Sequence, residues 1–168
     1  MSTDTLAAGL KELMLRKPPL TLAAAESLTA GHVQARIAAV SGASGYFVGG
    51  LTAYTLDQKV RRLGVNRAHA RRVHCVSQRV AVEMAAGAAE LFDADLAVAT
   101  TGYAEPAPAE GIRVPMAWWA LCHRRPRGRL AVVSGHVEIP HAGRVEVQER
   151  VAEVVLRELA DYLRVWRG

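Results

Sequence analysis

A serine that ends one apolar run and precedes another opens the chemistry of this chain. Leu20 to Ala25 leads into Glu26-Ser27-Leu28-Thr29-Ala30-Gly31. A serine at a strand-to-helix junction stands where free backbone N–H groups can bind an anion or hold an oxyanion. The same place suits a plain helix cap, from Ser27 or Thr29. A serine nucleophile also needs a base, and Tyr54-Thr55-Leu56-Asp57-Gln58-Lys59 offers one. A desolvated lysine can lose its proton and then accept the serine's. A tyrosine beside it can relay a proton or hold the amine. A solvated helix lysine is the plainer alternative. Among the 21 Lys and Arg residues, however, only Lys11, Lys17 and Lys59 are lysines, and arginine cannot serve as a base.

Two further places could meet a ligand. Thr100-Thr101-Gly102 offers hydroxyls and a close backbone approach at a strand end, where ligands of α/β sheets gather. Arg144, in the first turn of the last helix, can pair with a phosphate or simply face solvent. The six histidines show no metal-ligand spacing, so no metal is expected. The arginine clusters, Arg61 to Arg72 and Arg124 to Arg129, lack interleaved aromatics and read as solvated basic loops. Nucleic acid is therefore not an expected partner.

Composition limits the setting. The 168 residues are 51% apolar and 22% charged, which excludes a disordered chain. Cys75 and Cys122 lie far apart and form neither a disulfide framework nor a zinc module. The net charge of +5 permits anionic ligands. The N-terminus lacks the basic start and apolar core of a signal peptide, so a cytoplasmic protein is expected. Ile37 to Leu56 carries no charge, but Ser-Gly pairs interrupt it. It reads as a loop entering a buried strand, with no membrane partner.

These residues need elements to hold them. Helical spacing covers Thr5 to Arg16, stopped by Pro18-Pro19, and predicts helices over Thr29–Val40, Asp57–Leu63, Ser77–Phe92 and from Gly143 onward. Strands are expected at Leu20–Ala25, Tyr46–Thr55, Asp95–Thr101, Val114–His123 and Leu130–Ile139. Residues 103–111 form a loop, and 61–74 a basic irregular stretch. Alternation followed by a meander predicts an α/β fold, a three-layer α/β/α sandwich with a mixed sheet.

Taken together, residues 23–65 resemble the CinA C-terminal domain family. The family pattern runs approximately TAESCTGG, PGSS-x-x-F-x-GG and TY-x-x-x-x-K-x-x-x-LGV. Here it is met by Ala25, Glu26, Ser27, Thr29, Gly31, Gly42, Ser44, Phe47, Gly49, Gly50, Thr52, Tyr54, Lys59, Leu63, Gly64 and Val65. The VSQRVAVEMAAG helix, the strand ending Thr101-Gly102, and Gly143-Arg144 also resemble family elements. The resemblance implies one such domain over residues 1–168, working without a cofactor and self-associating into a homo-oligomer. It implies hydrolysis of the carboxamide of nicotinamide mononucleotide, a small-molecule nucleotide substrate. Ser27 would be the nucleophile, activated by Lys59 and Tyr54. N–H groups near Thr29, Ala30 and Gly31 would hold the oxyanion, and Glu26, Thr101, Gly102 and Arg144 would line the substrate site. The alternative is a diverged member that binds such a ligand, or a partner, without hydrolysing it.

Two departures bear on the substrate. Leu28-Thr29-Ala30-Gly31 replaces the family's Cys-Thr-Gly-Gly, and residues 103–116 replace its glycine-rich loop. Pro106 and Pro108 lack N–H donors, and Glu105 and Glu110 carry a phosphate's own sign. Weak or altered use of the phosphorylated substrate is the expectation.

Overall fold

A computed structural model describes residues 3–125 and 128–168 of the chain. In chain order the elements are α1 (Thr3–Leu15), β1 (Leu22–Glu26), α2 (His32–Ala38), β2 (Phe47–Thr52), α3 (Leu56–Leu63) and α4 (Arg67–Arg72). There follow α5 (Gln78–Leu91), β3 (Leu96–Tyr103), β4 (Met116–Arg125), β5 (Arg129–Glu138) and α6 (Arg144–Arg167). The sheet order is β2-β1-β3-β4-β5. β1 runs parallel to both neighbours, while β3, β4 and β5 are successively antiparallel. This is the expected α/β fold with helices on both faces of a mixed sheet.

The period of two along each strand sorts the core into two layers. Leu22, Ala24, Leu96, Val98, Trp119 and Leu121 face the layer that includes α1, α2 and α6. Ala23, Ala25, Ala97, Ala99, Ala120 and Cys122 face α3, α4 and α5. Alanine on the second face lets α5 approach closely, so Ala81, Met84, Ala85 and Ala88 pack directly on the sheet. Leu91, expected on that stripe, is exposed.

Three elements differ from the sequence-based expectation. β2, expected as a buried strand, lies at the edge of the sheet with none of its residues fully buried and Val48 exposed. The helix expected from Thr29 begins at His32, because the Glu26 carboxylate takes the N–H groups of Gly31, Val33 and Gln34. Neither Ser27 nor Thr29 caps it. The stretch read as irregular and basic contains α4, capped by Asn66, whose side chain accepts from the His69 N–H. Only Ala70 of that helix is buried, too little apolar content to show a period. Pro126 and Arg127, in the expected basic turn, lie outside the described residues.

Candidate active site

The C-terminal ends of β1, β2 and β3 come together at one end of the sheet. Glu26 and Thr52 are paired in register, and the Ala53 N–H donates to Glu26 O at 2.9 Å. That bond sets Ser27, the first residue beyond β1, beside the Ala53–Tyr54 segment beyond β2. Thr55 then caps α3 by accepting from the Gln58 N–H, and the first turn of α3 sends Lys59 back towards Ser27.

Lys59 is 1% exposed. Its Nζ lies 2.8 Å from Ser27 Oγ, 2.8 Å from the Ala53 carbonyl and 3.3 Å from the Tyr54 carbonyl. Among the described residues no carboxylate pairs with it. Burial pushes the Lys59 pKa below the ordinary lysine range, and the negative charge Cys75 can carry acts in the opposite direction. A neutral amine suits these three contacts. Two N–H bonds reach the two carbonyls and the lone pair faces the serine hydroxyl. That arrangement can draw a proton from Ser27.

A cavity of about 320 Å³ opens over this pair. Of the expected site residues, Ser27, Tyr54, Lys59, Thr101, Gly102 and Arg144 line it. Glu26, Thr29, Ala30 and Gly31 do not; they build the turn behind Ser27. Glu26 is buried and spends its carboxylate on the start of α2 and on Gln34 Nε2. The Thr29 hydroxyl meets that of Thr100 at 2.7 Å, both buried. The Ala30 N–H donates to Ser27 O, and the Gly31 N–H to Glu26. The N–H groups that remain without a partner here, among the described residues, are those of Ser27, Leu28 and Thr29.

Tyr54 holds the lysine through its backbone carbonyl. Its side chain is 53% exposed, and its hydroxyl accepts from Arg144 Nη2 at 2.8 Å. Arg144 Nη1 donates to Glu105 at 2.9 Å. His74, Cys75, Tyr103 and Glu105 also line the cavity, and none was expected there as a site residue. His74 and Cys75 are both in the left-handed region, with φ of 49° and 65°. The Thr101 hydroxyl donates to Cys75 O at 2.7 Å and fastens that turn to the end of β3. No local sequence pattern announces such a turn. A larger hollow, about 760 Å³, lies elsewhere, between Pro18, Asp95, His123, Arg129 and Trp166. It contains none of the expected site residues.

Known proteins resemble this chain in sequence and in fold. Residues 4–163 match the CinA C-terminal domain. A CinA-like protein of Chlorobium limicola is 36% identical over 152 residues, covering 90% of this chain and 35% of that protein. The chain spans about a third or less of the length of the curated relatives it matches. A solved CinA superfamily protein from Klebsiella pneumoniae superposes with a TM-score of 0.88 at 22% identity, covering 99% of this chain and 100% of that one. One from Escherichia coli gives 0.75 at 27% identity, covering 99% and 91%.

Proposed function

The chain belongs to the CinA C-terminal domain family, and from that premise we propose that it is an amidohydrolase. Its substrate is the carboxamide of nicotinamide mononucleotide or a close relative of it. The observation that carries the reading is Lys59: buried, without a carboxylate partner among the described residues, and 2.8 Å from Ser27 Oγ. A lysine held like that costs stability, and it suits a base for serine.

Ser27 Oγ attacks the carboxamide carbon as Lys59 Nζ takes its proton. The carbonyl oxygen becomes an oxyanion, for which the N–H groups of Ser27 and Leu28, both in the cavity lining, are the available donors. Lys59 returns the proton to the amide nitrogen, the C–N bond breaks, and ammonia leaves. Ser27 now carries an ester. Water, losing a proton to Lys59, attacks that ester, and the carboxylic acid departs as Ser27 regains its hydroxyl proton. The Ala53 and Tyr54 carbonyls keep the amine aimed throughout.

The test is incubation of the purified protein with nicotinamide mononucleotide and with its unphosphorylated riboside, following ammonia and acid together. Equal amounts of both products from either substrate support the reading. Binding without release of either product favours the non-catalytic alternative.

A further inference from the structure

The cavity that holds Ser27 contains an ion pair at its rim. Arg144, the first residue of α6, has one end of its guanidinium on Glu105 at 2.9 Å and the other on the Tyr54 hydroxyl at 2.8 Å. Glu105, Tyr54 and Arg144 all line the cavity. The pair joins the loop after β3 to the start of α6, across the mouth of the site.

We propose that Glu105 sets substrate selectivity, occupying Arg144 so that the site takes a carboxamide nucleoside in preference to its phosphorylated form. The proposal rests on the amidohydrolase reading and narrows its substrate class. Among the described residues Arg144 is the one guanidinium lining the cavity, and Lys59, the one lysine there, is buried with its amine held by Ser27 and the Ala53 and Tyr54 carbonyls. A phosphate reaching Arg144 must displace a carboxylate already there, and then sits beside that displaced charge. A pyridinium nucleoside brings no such negative group and is itself cationic, which suits a rim bearing Glu105. Size points the same way. About 320 Å³ is near the lower end of ligand cavities. The loop supplies little to offset the repulsion, since Pro106 has no N–H to give.

The Glu105–Arg144 pair is solvent-exposed, with side chains 64% and 46% accessible. Such pairs are weak, so the discrimination is a matter of degree, about tenfold in affinity.

The experiment is an equilibrium titration of nicotinamide riboside and nicotinamide mononucleotide against Ser27→Ala protein, alone and combined with Glu105→Gln. Glu110→Gln, which removes a carboxylate of the same loop that does not touch Arg144, is the control. The expected result is riboside binding at least as tight as the nucleotide in the Glu105 protein. Glu105→Gln should shift the ratio about tenfold towards the nucleotide, with Glu110→Gln changing it less than about twofold. A strong preference for the nucleotide in the Glu105 protein would overturn the proposal. So would a ratio that Glu105→Gln leaves unmoved, or one that both variants move equally. Binding of neither compound would overturn it together with the substrate reading. The expected binding pattern without hydrolysis by the unmodified protein would leave the selectivity standing and defeat the amidohydrolase reading alone.

Discussion

Lys59 carries opposite demands from folding and from chemistry. Burial lowers its pKa, so between that folded value and the ordinary lysine value the unfolded chain binds one more proton than the folded chain. Stability therefore rises with pH across this window. Lys59→Met should remove the contribution, leaving its unfolding free energy flatter with pH than wild type by up to about 1.4 kcal/mol per pH unit. Denaturant melts of both proteins at several pH values read this directly, and parallel curves would mean that Lys59 stays charged. The same deprotonation should give kcat/KM a limb that rises with pH and bends below the ordinary lysine value. Lys59→Arg keeps the charge and loses the base. It should fall by about 100-fold or more in kcat/KM, within the range general-base catalysis supplies. Near-normal activity in that variant would reduce Lys59 to a fixed charge. Ser27 and Lys59 were legible in sequence because Ser27 directly follows a strand and Lys59 sits in the first turn of a helix, each in a recognisable motif. The Tyr54 hydroxyl was not, since its partner Arg144 comes from 90 residues away.

At the scale of elements, α3 aims the base and α5 holds α3. Gly87 makes that contact possible. A Cβ there would lie 2.1 Å from the carbonyl oxygen of Leu63, the last residue of α3. Gly87→Ala should therefore cost about 1–3 kcal/mol by overpacking, a fall of roughly 3–10 °C in the melting midpoint. It should also lower kcat, because the strain is relieved by moving the helix that carries Lys59. An unchanged melting midpoint would show that α5 sits further from α3 than described. The apolar stripes of α1, α5 and α6 were readable because burial on one face imposes a helical period. The late start of α2 was not. Glu26 acts as its cap from the end of β1, five residues before Gly31, outside the usual capping pattern. The His74–Cys75 turn was hidden for a related reason, since its hold on β3 is a contact of Thr101 with Cys75 O.

For the whole molecule, the three parallel strands decide where chemistry occurs. β1, β2 and β3 end together, so Ser27, Tyr54 and Thr101 meet although they are far apart in the chain. The alternating order of elements made that layout legible. The loop after β3 was legible only as a departure from the family pattern, and its pairing with Arg144 required the fold. Among the described residues, no helix is long and apolar enough to cross a membrane. The central claim is that Ser27 is the nucleophile of an amide hydrolysis. Its most direct test is ammonia release from nicotinamide riboside and nicotinamide mononucleotide by the unmodified protein and by Ser27→Ala, with thermal melts of both. The account predicts release by the first, a loss of about 1,000-fold or more in the second, and similar melting midpoints. Comparable release by Ser27→Ala would contradict it.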